Sequence, residues 1–216
     1  WRVLDLLDLP RQAEVLGYLD RDLQVELAKS APRARLAEII TEMDADDRAD
    51  LFNALSDEEQ EALLPALAQA EREDIRRLAG YAEGTAGAIM TSDYAVLAPH
   101  LTAREALDKL RLEAPDKETI YRTYVVDADR RLIGSVRLQD LILVAPATRV
   151  EKLMERNTLA VRADEDQEEV AAKIARYDRL ALPVVDDEGR IVGIVTHDDA
   201  LDVIQQEATE DFQKAG

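Results

Sequence analysis

One stretch of this chain is written twice. Residues 124–140 (YVVDADRRLIGSVRLQD) realign on residues 183–199 (PVVDDEGRIVGIVTHDD) at a constant offset of 59 (183 − 124), with seven identities in seventeen positions. Each copy reads as a strand, a polar turn, a second strand broken by Gly134 or Gly193, and an aspartate, Asp140 or Asp199, that opens a helix. Upstream, Met90 with a predicted helix over Thr102–Leu112 mirrors Met154 with a predicted helix over Asp166–Tyr177. The repeat is therefore a βαββα unit of roughly 60 residues. A small sheet of this kind is apolar on a face it cannot cover alone, so the two copies are expected to pack together as one pseudo-twofold module.

The first 80 residues follow another rhythm. They are rich in Ala, Leu, Glu and Asp, and their apolar residues recur at helical spacing, as in Leu36, Ile39, Ile40 and Met43. Turn or cap signals return at Leu9-Pro10, Leu19-Asp20, Ser30-Ala31-Pro32, Met43-Asp44 and Leu55-Ser56-Asp57. Helices this short cannot stand alone, and stacking in successive pairs into a superhelix is the expected remedy. Ser56 and Glu59 form a capping-box pattern for a last run from Asp57 towards Leu78, which Pro65 kinks or splits. Gly80, Gly84 and Gly87 then break the pattern. The expected fold class is α plus α/β: a helical superhelical domain over 1–80, a glycine-containing joint over 81–87, a first repeat over 88–148, and a second over 149–216 ending in an acidic helix.

Charge limits the chemistry. With 27 Lys and Arg against 46 Asp and Glu, the net charge is −19, so a nucleic-acid partner is not expected and cations are. There is no Cys and there are only two His, which excludes disulfides, thiol nucleophiles and Cys-based zinc sites. The longest uncharged stretch, Tyr94–Ala103, contains Pro99 and is far short of the roughly 20 apolar residues of a spanning helix, so the chain itself is expected to be soluble. Trp1 stands where a Met would begin a gene product, consistent with numbering that starts inside a longer one.

The acids are unevenly placed. Asp46 and Asp50, with Asp44 and Asp47 beside them, share one face of an expected helix, as do Asp199 and Asp202. Glu207, Glu210 and Asp211 follow in a run without Gly or Pro, and residues 197–216 carry six acids against Lys214, a local net charge of −5 (1 − 6). Two carboxylates about 4 Å apart repel by roughly 4 kcal/mol at an effective dielectric of 20, and a divalent cation reverses that sign. Mg²⁺, which keeps several waters and needs only one or two carboxylates, suits such sparse acids, and the residue inventory argues against zinc, copper or nickel.

The residues Gly193, Ile194, Val195, Thr196, His197, Asp198 and Asp199 resemble the closing motif of a cystathionine β-synthase (CBS) domain, and the two copies resemble a tandem CBS pair. The first copy keeps Gly134 and Asp140 but has Arg137 where that motif places a hydroxyl. A helical acidic domain before the pair, together with the strings ETIYRTYVVD, DEDQEEV, LPVVDDEGRIVGIVT and EATEDFQK, is similar to the cytosolic part of MgtE-type magnesium channels across essentially the whole chain. That resemblance implies a non-enzymatic Mg²⁺ sensor on the cytoplasmic side of a membrane. It further implies a homodimer through the CBS pair, attached to a pore domain absent from this sequence, which docks its helical domain and favours channel closure when Mg²⁺ binds. Carried over by position, the ligands would be Glu14, Asp46 and Asp50 in the helical domain. On the CBS side they would be the carbonyls of Ala88 and Ala175 with Asp178, Asp199, Asp202, Glu207, Glu210 and Asp211.

CBS clefts also hold adenosine phosphates, which makes ATP a second expected ligand, with Arg122, Arg137 and Asp140 as the residues concerned. Arg122 stands where an aromatic would stack on adenine, and the acidic character of the chain argues against a polyanion. A nucleotide-responsive regulator of some other transporter or enzyme is therefore the alternative. A carboxylate-based hydrolase lacks any accompanying nucleophile or base. His100 and His197 read as surface residues, Met43, Met90 and Met154 as packing, Trp1 as packing or a frayed start, and GTAG at 84–87 as a joint, since it lacks the Lys-Ser/Thr of a phosphate loop.

Overall fold

The computed structural model describes residues 1, 3–114 and 117–214, with side chains to residue 207. It separates into two compact units, Trp1–Tyr81 and Ala82–Gly216.

Among the described residues of the first unit six short α-helices follow one another: α1 (Leu9–Gly17), α2 (Arg21–Ser30), α3 (Arg33–Glu42), α4 (Ala45–Ala54), α5 (Asp57–Leu63) and α6 (Gln69–Leu78). The starts obey the caps. Asp8 accepts from the Arg11 amide at 3.2 Å with Pro10 in the first turn, and the Ser56 amide donates to Glu59 Oε2 at 2.9 Å. The expected run from Asp57 to Leu78 is split at Pro65, where a 3₁₀ turn, Leu64–Ala66, separates α5 from α6. A proline has no amide to continue the ladder. The principal contacts pair each helix with the one two places on: α1 with α3, α2 with α4, α3 with α5 and α4 with α6. That is superhelical stacking. Leu36, Ile39, Ile40 and Met43 lie in the shared core with Leu16, Leu51, Leu63 and Ile75. Trp1 is packing: its Nε1 donates to the Leu27 carbonyl at 3.1 Å and to Ser30 Oγ at 2.7 Å.

The described residues of the second unit form two three-stranded sheets. The first copy runs β1 (Tyr94–Leu97), α7 (Ala103–Glu113), β2 (Thr119–Val126), β3 (Leu132–Arg137) and α8 (Leu138–Leu143). The second runs β4 (Val161–Arg162), α9 (Gln167–Arg176), β5 (Ala181–Val185), β6 (Ile191–Thr196) and α10 (His197–Lys214). In each sheet the first strand is parallel to the second and the second antiparallel to the third. The repeat is kept to the register: Val125 faces Gly134 and Val184 faces Gly193. Asp127 and Asp186 each accept two backbone amides in the hairpin turn, which gives that identity its reason. Tyr124, Val126, Ala181, Ile191 and Ile194 form one buried cluster drawn from both sheets.

The copies exchange their lead-in segments. Thr91, ahead of the first copy, trades two backbone hydrogen bonds with Ile194 of the second at 2.9 and 3.0 Å. Glu155, ahead of the second, does the same with Ser135 of the first at 2.8 and 3.0 Å. Met90 thereby lies on Gly193 and Met154 on Gly134, so both methionines are packing residues. The stretch read as a joint is held as well, because the Ala86 and Gly87 amides donate to the carbonyls of Glu165 and Ala163.

Candidate functional site

The acids singled out in the helical unit fall on two neighbouring helices. Glu14 is exposed on α1, one turn before Gly17, and a side chain at Gly17 would run into the Asp47 carboxylate, so the end of α1 abuts the first turn of α4. That turn carries Asp46, half-buried, while Asp50 lies exposed one turn on, consistent with the shared face expected from their spacing.

In the second unit most of the candidate residues lie at the end of α9 and along α10, two helices packed on each other. The α9 terminus is a Schellman motif: the Arg179 amide donates to the Ile174 carbonyl at 3.1 Å and the Asp178 amide to the Ala175 carbonyl at 3.4 Å. Asp178 takes the left-handed position at φ 48°, where glycine is usual. The carbonyl of Ala175 and the exposed carboxylate of Asp178 thus stand together at the negative end of a helix, an arrangement of hard oxygen donors suited to a cation. Asp178→Gly is expected to raise thermal stability by about 0.5–1 kcal/mol, because a Cβ is strained there, while reducing any response to Mg²⁺. Paired melting curves with and without metal check both signs, and a lower melting midpoint in the metal-free variant would contradict the strain argument.

Asp199, half-buried, accepts a hydrogen bond from Thr196 Oγ1 at 2.5 Å, and Asp202 is exposed one turn further along α10. Ala88, whose amide donates to the Thr85 carbonyl at 3.0 Å, lies in the segment leading to Met90, and Glu207 is half-buried on α10. Glu210 and Asp211 fall on α10, but their side chains lie outside the described residues. Among the described residues no three acidic or imidazole side chains gather into one metal-binding group. His100 and His197 are both exposed.

The nucleotide candidates do share a place. A cavity of about 580 Å³ opens between the two copies, with Tyr121 and Arg122 from β2, Arg137 from β3, and Asp178, Arg179 and Leu180 from the turn after α9 among its lining residues. Arg122 donates to Glu155 Oε2 at 2.8 Å and to Ser135 Oγ at 2.9 Å. Arg137 grips both oxygens of Asp140 at 2.8 Å, and this hydrogen-bonded pairing holds its guanidinium pKa above the ordinary value. Three arginines and one aspartate line this cavity, and two of those arginines are paired with carboxylates, Arg122 with Glu155 and Arg137 with Asp140. Sequence reasoning missed Arg179 and Tyr121. Neither belongs to the repeated motif, and Arg179 is brought in by the other copy.

A family model described as the MgtE intracellular N domain matches residues 1–84, and the CBS domain model matches residues 86–146 and 150–206. The magnesium transporter MgtE of Thermus thermophilus is 46% identical over 217 aligned residues, covering 99% of this chain and 48% of that protein. Two solved structures are similar over most of their length. The cytosolic domain of the Mg²⁺ channel MgtE in complex with ATP has TM-score 0.91 and 46% identity, covering 94% of this chain and 83% of that one. The soluble part of a magnesium transporter has TM-score 0.89 and 33% identity, covering 95% and 81%. The chain spans about half the length of the curated relatives it matches.

Proposed function

The chain belongs to the MgtE family of magnesium transporters, whose cytosolic domain it matches from the helical N domain through the CBS pair, and from that premise we propose that it is the Mg²⁺-sensing regulatory region of a magnesium channel. Membership is of a transporter family, so no catalytic step is invoked. What supports the sensing role is the division of the acids: Glu14, Asp46 and Asp50 belong to one unit, Asp178, Asp199 and Asp202 to the other, and no group of three lies within the described residues. A hydrated Mg²⁺ needing oxygens from two surfaces brings such surfaces together. Each site then contributes RT ln(1 + [L]/Kd), about 1.4 kcal/mol when the ion is tenfold above its dissociation constant. Shifting a two-state equilibrium from 1:99 to 99:1 takes roughly 5.5 kcal/mol, so about four such sites per switching unit suffice. The docked state favours closure. Pairing with a second copy through the CBS unit, and continuation into a membrane pore that places this region on the cytoplasmic side, belong to the same proposal.

A nucleotide in the arginine-lined cavity is a second part of the reading, supported by the cavity itself and by the ATP complex of the related channel domain. Small-angle scattering of the chain during a Mg²⁺ titration tests the sensor. A fall in the radius of gyration in the millimolar range, reversed by chelator, is expected. An unchanged radius at every Mg²⁺ concentration, or compaction by ATP alone, would favour the nucleotide-responsive alternative.

A further inference from the structure

The chain has no cysteine and three methionines, so its oxidisable sulfur is confined to three thioethers. Met43 and Met90 are buried, at 5% and 0% exposure, whereas Met154 is only half-buried. Glu155, Arg156 and Asn157, which follow it, are exposed. The two crossings differ in the same sense. A Cβ at Gly193 would meet Met90 Sδ at 2.5 Å, and one at Gly134 would meet Met154 Sδ at 3.1 Å, so Met154 is seated less closely on its glycine. Met154 also packs against the apolar cluster that contains Val136, Leu141 and Val150. The amides beside its side chain are taken: Ser135 and Glu155 donate to one another's carbonyls at 3.0 and 2.8 Å, and the Met154 amide donates to Val150 at 2.9 Å. A sulfoxide oxygen formed here finds these three donors engaged, and an acceptor buried without a donor is costly.

We propose that Met154 is a peroxide-modified site, whose sulfoxide releases the lead-in segment of the second copy from Gly134 while the Met90 crossing stays closed. The thioether sulfur attacks one oxygen of hydrogen peroxide, and an S–O bond forms as the O–O bond breaks. The departing oxygen takes the proton of the transferred one and leaves as water. Sulfur loses two electrons and the peroxide gains them. A flexible apolar side chain thereby becomes a polar one, and the paired amides of Ser135 and Glu155 open to water. Methionine sulfoxide reductases return the thioether, so the opening is reversible. It requires neither metal nor nucleotide.

Exposure of the native chain to hydrogen peroxide, followed by mass mapping of the methionine peptides, tests the site. Met154 should gain one oxygen about tenfold or more faster than Met43 or Met90, which react only when the structure opens. The singly oxidised chain should melt about 3–8 °C below the untreated one. Amide hydrogen exchange should quicken about tenfold or more at Ser135 and Glu155, and stay unchanged at Thr91 and Ile194. Treatment with the reductases should restore both readings. Met154→Leu should keep its melting midpoint through the same peroxide treatment, and Met154→Gln, a polar stand-in for the sulfoxide, should open Ser135 and Glu155 without oxidant. Oxidation of Met43 or Met90 as fast as Met154 overturns the site. Exchange at Ser135 and Glu155 unmoved in the singly oxidised chain overturns the release.

Discussion

A chain carrying Gly193→Ala is expected to melt about 5–10 °C below the wild type, with the loss confined to the CBS unit. A Cβ at this position would meet Met90 Sδ at 2.5 Å, Met90 Cγ at 2.7 Å and the Thr91 carbonyl oxygen at 2.9 Å. The methionine can turn aside, since its thioether chain is flexible. The carbonyl cannot, because the Ile194 amide donates to it at 3.0 Å. Overpacking of this kind costs about 2–3 kcal/mol. Gly134→Ala should behave as its twin, since a Cβ there meets the Glu155 carbonyl oxygen at 2.9 Å and Met154 Sδ at 3.1 Å. Differential scanning calorimetry reads both. Wild-type melting in either variant would mean that the crossing of lead-in segment over sheet is looser than the geometry gives it.

The second large effect is expected in Asp46→Ala plus Asp50→Ala. Under the sensor proposal this double variant gives up two of the three carboxylates that the helical unit offers to metal. The Mg²⁺ concentration at half-compaction should rise by about tenfold or more, the loss of about 1.4 kcal/mol of linkage. The fold should persist, because Asp50 is exposed, Asp46 is half-buried in the first turn of α4, and neither belongs to the apolar core. Scattering across a Mg²⁺ titration measures the midpoint, and helical circular dichroism checks the fold. A midpoint within twofold of the wild type, in a folded variant, would remove this face from the metal site.

Much of the architecture was legible because it is local or repeated. The offset of 59 carried the hairpin turns, the glycine breaks and the helix-opening aspartates, all short-range devices with fixed residue requirements. The helix starts at Thr102 and Asp166 were readable from the repeat, and that at Ser56 from its cap, which acts over three residues. The paired spacing of Asp46 and Asp50 was readable for the same reason. What the sequence did not disclose is where the two copies cross. No periodicity says that Met90 leaves its own repeat to lie on Gly193, or that Arg179 of one copy lines the same cavity as Arg122 and Arg137 of the other. Asp178 could be named as a candidate from resemblance, but its left-handed backbone is visible only once the helix end has been closed around it.

The traded segments mean that the unit duplicated in the sequence is not the unit that folds. Each half keeps its own hairpin and helices, yet its closing clasp is supplied from just upstream of its sibling. Such halves are joined like linked hands rather than beads on a string. A displacement felt by one is handed directly to the backbone of the other, and this gives a signal arriving at either copy a mechanical route across the module.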